Sequence, residues 1–364
     1  MTPIPRHLPG SASSDSPPSV RSRRQFLLSF GAASLGLSLA GLTARAGSPG
    51  SGRALGALQL SSRTSTALGT KISLLVLHED RAVGEQALDD AFAELARVER
   101  VMSIYLAESQ VSWLNAGGAL PQPDPYLVRI LHDAAEVSEQ SAGAFDVTVQ
   151  PLWTLYSEAQ RRGQTPDAAA LAAACREVSW RDVSVSPDRI AFRRRSMAIT
   201  LNGIAQGFAA DRVMEALKKR GIQHALVNTG EISSLGRRAQ GDPWVVGIQH
   251  PRRPDAYFGL AALDGRCLST SGDYETTFSP DFATNHIFDP ATGRSPDSLA
   301  SATVVAPTAT LADALSTALF VLGPDRGLEL AAQWPGVDVF LIRKDLTTLA
   351  TKSFPWSHAA EAKS

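Results

Sequence analysis

The sequence predicts an α+β protein of mixed sheets flanked by helices. Stretches with apolar residues at helical spacing alternate with short apolar, partly β-branched runs along most of the chain. No dinucleotide-type GxGxxG, Walker loop or GxSxG elbow interrupts that alternation. The apolar share of 44% supports a sizeable core, and neither an internal repeat nor a sharp composition shift divides it.

The elements follow in chain order. Gly47 to Thr66 is rich in Ser and Gly and reads as a loose linker. Lys71 to Leu77 reads as a strand, and Gly84 to Met102 as an amphipathic helix with Leu88, Phe92, Leu95, Val98 and Met102 on its core face. A second helix covers Tyr126 to Gln140, and Gly143 to Pro151 breaks its period. Asp167 to Cys175 is Ala-rich and helical. Arg189 to Phe192 and Ala198 to Leu201 read as paired strands, with Arg193-Arg194-Arg195 as a solvated turn, since three adjacent charges are costly to desolvate. Phe208 to Arg220 is a helix closed by Gly221. Strands are expected at Ala225 to Asn228, Trp244 to Ile248, Cys267 to Ser271, Ala302 to Ala306 and Val337 to Arg343, with a helix from Thr310 to Leu322.

The N-terminus has a different character. Ser22-Arg23-Arg24-Gln25-Phe26-Leu27-Leu28 leads into a soft apolar stretch to Leu42 and then Ala44-Arg45-Ala46, an A-x-A cleavage site. This reads as a twin-arginine export signal over 1–46, which implies a periplasmic protein exported already folded. A short membrane anchor is the weaker competing reading, since Phe26 to Leu42 with its Gly and Ser is barely long and apolar enough to span. The expected organisation is signal peptide 1–46, linker 47–66, catalytic domain 67–350 and polar tail 351–364. The whole chain has 35 basic and 36 acidic residues, which leaves no nucleic-acid footprint. Losing Arg6, Arg21, Arg23, Arg24, Arg45 and Asp15 with the leader makes the mature chain mildly acidic. Cys175 and Cys267 leave one disulfide or two free thiols open, and no CxxC or Cys/His spacing supports zinc or thiol redox chemistry.

Asp313 and Thr317, four residues apart among helix formers, share a helical face. A carboxylate and a hydroxyl so placed are hard oxygen ligands suited to Mg²⁺. The alternative is an Asp near a helix start acting as a cap or dipole partner. Ile199 to Asp211 reads as strand, glycine turn and helix, with Gly203 and Gly207 either allowing a ligand close to the backbone or only meeting the geometry of the turn.

Taken together, Gly69-Thr70, Ser103-Ile104-Tyr105 with Ser109, Gly143-Ala144-Phe145-Asp146 with Pro151, Leu201 to Asp211, Asn228-Thr229-Gly230-Glu231, Ser269 to Tyr274, His286 to Gly293 and Ala312-Asp313 to Gly323 resemble the FAD:protein FMN transferases, the ApbE family. The resemblance spans about Leu68 to Arg343. It implies a two-lobed, tunnelling-fold-like arrangement and an enzyme that moves FMN from FAD to a Ser or Thr hydroxyl of a target flavoprotein, releasing AMP. It implies Mg²⁺ held by Asp313, Thr317 and the Gly203 carbonyl, with Ser316 in reach. It places FAD contacts on Leu68, Tyr105, Ala144, Phe145, Asp146, Thr200, Gln206 and the segment from His286 to Phe288.

His286 is the expected base for the attacking hydroxyl, with Asp146 as second candidate. A structural His286 bonded to the Asp289-Pro290 turn, and core packing for Tyr105 and Phe145, are the competing readings. The chain departs from the family pattern at Thr200, at Gln206 and at Thr229-Gly230-Glu231, where most relatives carry an acidic residue, Lys or Glu, and Gly-Gly-Asp. The Gln-Gly form with twin-arginine export resembles a subgroup found with nitrous oxide respiration, whose acceptor is a membrane-bound electron-transfer flavoprotein. An FAD pyrophosphatase yielding FMN and AMP, and a non-catalytic exported flavin-binding protein, are the alternative functions.

Overall fold

The computed structural model describes residues 58–238 and 241–357. The expected export signal over 1–46, the first part of the expected linker and the last residues of the expected tail lie outside them. An eight-stranded sheet forms the centre, in the order β1 (Gln59–Ala67), β2 (Thr70–His78), β6 (His224–Asn228), β7 (Ile232–Leu235), β10 (Cys267–Gly272), β11 (Leu299–Ala306), β12 (Asp338–Arg343) and β13 (Thr348–Ala350). Each neighbouring pair is antiparallel. Every residue of β11 is buried, as a strand covered on both faces requires.

Helices cover one face, which gives the expected α+β class. In α1 (Arg81–Met102), capped by Asp80 accepting from the Ala82 amide, Leu88, Leu95, Val98 and Met102 are buried as their spacing predicts, with Phe92 packed at the margin. Two more position the site: α6 (Ala205–Lys219), followed by Gly221 at φ +81°, and α7 (Ala309–Leu322). These two approach closely because Gly207 has no side chain: a Cβ there would lie 2.2 Å from the Ala309 carbonyl oxygen. On the other face, the hairpin of β8 (Trp244–His250) and β9 (Arg253–Leu263) buries Trp244, Val246, Ile248 and Leu263 against Leu226, Val305, Phe340 and Ile342. A smaller sheet joins β3 (Ala119–Pro121), β5 (Arg189–Phe192) and β4 (Val183–Val185). The remaining α-helices among the described residues are α2 (Gln110–Gly117), α3 (Pro125–Gln140), α4 (Gln150–Arg161), α5 (Ala168–Cys175) and α8 (Pro324–Ala331).

Three expectations are corrected, and one alternative closes. The described part of the 47–66 linker is strand β1, paired with β2 through a two-residue turn in which Leu68 (φ 53°) and Gly69 (φ 76°) are both left-handed. Its Ser- and Thr-rich sequence suits a mostly solvated edge strand, which carries no apolar signature. Ala198 to Leu201 does not pair with Arg189–Phe192, whose neighbours are β3 and β4. The Asn115 side chain stands in for a partner strand there, donating to the Ile199 carbonyl and accepting from its amide, both at 2.8 Å. The 351–364 tail is not simply polar: Phe354 is buried, and the Ser357 amide donates to the Leu260 carbonyl on β9. Cys175 and Cys267 are free thiols, so the disulfide alternative falls.

Candidate active site

A cavity opens where the glycine turn before α6, one face of α7, β10 and the 273–290 loop meet. Leu68, Tyr105, Ala144, Phe145, Asp146, Thr200, Gly203, Gln206, His286, Phe288, Asp313 and Thr317 all line it. The left-handed Leu68 is pinned by its amide donating to Glu99 at 2.9 Å. Phe288 is buried against Tyr156, ring centroids 4.8 Å apart, so one of its faces is already stacked.

Asp313 does not cap its own helix. That role belongs to Thr308, whose hydroxyl accepts from the Leu311 amide, and to Asp211, which accepts from the Ala309 and Thr310 amides at 2.9 Å. Asp313 lies a turn further on and reaches across to α6, accepting from the Gly207 amide at 2.9 Å. Its carboxylate therefore meets the positive end of a neighbouring helix. Burial nonetheless pushes this carboxyl up to about 7, since one amide does not replace lost hydration. Thr317 stands beside Gly203: a Cβ on that glycine would lie 3.1 Å from the threonine hydroxyl oxygen.

Ser316, expected in reach of the metal, faces elsewhere. It is fully buried and outside the cavity wall; its hydroxyl donates to the Asp313 carbonyl at 2.9 Å and contacts the hydroxyls of Ser269 (3.1 Å) and Ser271 (2.7 Å). On a helix, adjacent residues point about 100° apart, so Ser316 cannot share the face of both Asp313 and Thr317. Ser271 on β10 does line the cavity and lies 3.2 Å from the Thr317 hydroxyl.

His286 is held by the loop opposite. Its Nδ1 lies 3.2 Å from the Thr276 carbonyl oxygen, and its amide donates to the same carbonyl at 3.0 Å. A carbonyl only accepts, so Nδ1 carries the proton and Nε2 keeps its lone pair. The partner is Thr276 rather than the Asp289-Pro290 turn. Burial lowers the imidazole to about 4, against the opposing influence of Thr276 and Asp273, so the ring is neutral near pH 7. Asp146 is less suited to proton transfer. Its Oδ1 accepts from the Thr148 amide (2.8 Å) and hydroxyl (2.6 Å) and its Oδ2 from the Trp180 amide (3.0 Å), which makes it a loop organiser.

Sequence reasoning missed Glu275 and Tyr257 in the wall; Glu275 directly follows the Ser269 to Tyr274 segment, and neither residue carries a spacing signal. Glu231 also lines the cavity, and burial, then the nearby Asp313, raise its carboxyl well above the usual range; burial raises Glu275 as well. Among the described residues lining the cavity, four are carboxylic acids and none is Lys or Arg.

Solved structures of similar proteins share this fold over 81% and 82% of the chain. The family model described as ApbE matches residues 68–341. This chain belongs to the ApbE family. It is 32% identical over 307 residues to the FAD:protein FMN transferase of Treponema pallidum, covering 78% of this chain and 84% of the relative. The FAD:protein FMN transferase of Klebsiella pneumoniae is 30% identical over 290 residues, covering 76% and 83%. Among solved structures, the apo form of the Pseudomonas stutzeri flavinyl transferase ApbE superposes with a TM-score of 0.71 at 31% identity, covering 81% of this chain and 95% of that one. The ApbE protein from Thermotoga maritima gives 0.73 at 26% identity, covering 82% and 100%. Two of the positions expected to depart from the family pattern touch each other. The Thr229 hydroxyl donates to the Gln206 carbonyl at 2.8 Å, and the Gln206 amide group covers Gly230, where a Cβ would lie 2.6 Å from Oε1.

Proposed function

We propose that this chain transfers FMN from FAD to a Ser or Thr hydroxyl of an acceptor flavoprotein and releases AMP. The observation that carries this function is the convergence of Asp313, Thr317 and Gly203 in the same cavity as the unprotonated Nε2 of His286. In the step itself, the acceptor oxygen bonds to the FMN-side phosphorus as the bond from that phosphorus to the oxygen of the AMP leaving group breaks. AMP takes the electron pair, and the hydroxyl proton passes to His286 Nε2. The aromatic surface of Tyr105, Phe145 and Phe288 supplies apolar contact for a flavin or adenine ring.

The residues present fit Mg²⁺. A pyrophosphate entering a wall with four carboxylic acids and no Lys or Arg needs an added cation. Among the described residues no three His, Cys, Asp or Glu converge on one point, so the donor set is mixed oxygen: the Asp313 carboxylate, the Thr317 hydroxyl and the Gly203 carbonyl. When bound, the ion supplies charge neutralisation of the phosphate oxygens. Ser and Thr as acceptors, export by the twin-arginine route to the periplasm, and a membrane-bound electron-transfer flavoprotein as partner are parts of the same proposal. Export is supported by the sequence around Arg23-Arg24 and by Ala44-Arg45-Ala46, and the partner by Gln206-Gly207 together with that export signal.

The test mixes the protein with FAD, Mg²⁺ and the soluble flavin-acceptor domain of a candidate partner, and follows AMP by chromatography and the acceptor by intact mass. A transferase adds the FMN mass in step with AMP. AMP without acceptor modification would mean an FAD pyrophosphatase, and FAD binding without AMP a carrier.

A further inference from the structure

We propose that Ser271 and Ser316 are positioning residues that polarise a chain of hydroxyls, so that Thr317 presents only oxygen lone pairs to the cavity. This rests on the proposed cation site at Asp313 and Thr317.

The direction of the chain follows from its buried end. The Asp313 carbonyl can only accept, so the Ser316 proton points to it, at 2.9 Å. A serine hydroxyl has one proton, so the Ser316 oxygen must accept at its 2.7 Å contact with Ser271. Ser271 has then committed its own proton and must accept at its 3.2 Å contact with Thr317. The Thr317 proton is thereby drawn into the wall, away from the space beside Gly203. Without this sequence of contacts the Thr317 hydroxyl is free to rotate its proton toward the cavity, where it would oppose a cation.

Two features make the arrangement possible. Alternate residues of a strand share a face, which turns both Ser269 and Ser271 of β10 toward α7. Ser316 is fully buried and Thr317 is at the wall, so the chain runs from core to cavity in three hydroxyls. The Ser269 hydroxyl lies 3.1 Å from Ser316 and also meets the Glu231 carboxyl. With the Ser316 proton on the Asp313 carbonyl, Ser269 donates either to Ser316 or to Glu231, and neither choice alters the direction toward Thr317.

The experiment measures Mn²⁺ binding to the full chain in the presence of FAD, by the loss of the free-ion electron paramagnetic resonance signal. Ser271→Ala, Ser316→Ala, Thr317→Val and Ser271→Thr are compared with the parent, and the metal-free melting temperature of each checks the fold. Ser271→Ala is expected to weaken Mn²⁺ about 10- to 100-fold, the usual scale for residues that orient a metal ligand. Ser316→Ala should weaken it in the same direction, and Ser271→Thr, which keeps the hydroxyl, should retain the parent's affinity. If Ser271→Ala and Ser316→Ala melt like the parent and bind Mn²⁺ equally well while Thr317→Val does not, the polarised chain is refuted and the cation site stands. If the parent itself binds no Mn²⁺, the cation site fails and the proposal fails with it. Should one alanine variant not fold, the other decides between these outcomes.

Discussion

Gly207→Ala tests the link between helix packing and the site most directly. A Cβ at this position would lie 2.2 Å from the Ala309 carbonyl oxygen, 2.6 Å from its carbon and 2.8 Å from the Asp313 Cβ. Real Cβ atoms essentially never come within 3.0 Å of another heavy atom, and a backbone carbonyl between two packed helices cannot swing aside as a flexible side chain does. Relief therefore needs α6 and α7 to separate by about 1 Å, an overpacking cost of about 3 kcal/mol, the upper end of the usual range. The same movement would break the 2.9 Å bond from the Gly207 amide to Asp313 and pull Gly203 from Thr317. Urea denaturation should show the loss of stability, and the intact-mass assay a fall in transfer in the folded fraction. Gly203→Ala is the control for locality. Its Cβ would meet the Thr317 hydroxyl at 3.1 Å, which a small adjustment relieves, so stability should change by less than about 1 kcal/mol while transfer falls. A Gly207→Ala protein with the parent's denaturation midpoint would show that the two helices do not hold the site by close approach.

Asp313→Asn should keep the fold, lose transfer and abolish stabilisation by Mg²⁺ in thermal melts. Because the folded carboxyl of Asp313 is raised, its contribution in EDTA is fully present below its unfolded value near pH 4 and lost as pH rises through about 7. Bound Mg²⁺ should flatten that loss, and a parent whose EDTA and Mg²⁺ stability curves coincide over that window would contradict the site. For His286 the folded value is depressed, so its contribution is present above pH 6.5 and lost as pH falls through about 4. The acid limb of transfer governed by His286 should accordingly appear near pH 4 rather than 6.5. His286→Gln should lower the transfer rate about 10²- to 10⁴-fold, as single-turnover mass spectrometry would report. Arg252→Met removes the bidentate partner of fully buried Asp273 (2.6 and 2.8 Å), leaving Lys344 at 3.4 Å. A loss of about 3–5 kcal/mol in denaturant titrations is expected.

The long periodic elements were legible in the sequence. The core face of α1, the helix ending at Gly221 and the β11–α7 succession each carry a run or repeat of apolar residues that local sequence alone reveals. Less legible were elements whose bonding partner is remote or unusual. Strand β1 is stabilised by its neighbour β2 and not by apolar periodicity, and Ile199 takes its hydrogen bonds from the Asn115 side chain 84 positions away.

The candidate site divides in the same way. Residue types and their order along the chain nominated Asp313, Thr317, Gly203 and His286, because a motif preserves donor chemistry at set spacings, and the fold brings all four to one cavity wall. Spacing could not say that Ser316 turns inward while Thr317 faces the cavity, since that depends on how α7 packs against β10. Nor could it choose the ring nitrogen of His286, which the Thr276 carbonyl selects across the loop. By itself the sequence determined α1, α3, α5, α6 and α7, about half of the strands, the family and the kind of chemistry, all of which reside in local pattern and residue type, whereas α2, α4 and α8 carried no signal that was read. The tertiary structure decided which of those groups meet and which are buried, because these depend on contacts between segments far apart in the chain.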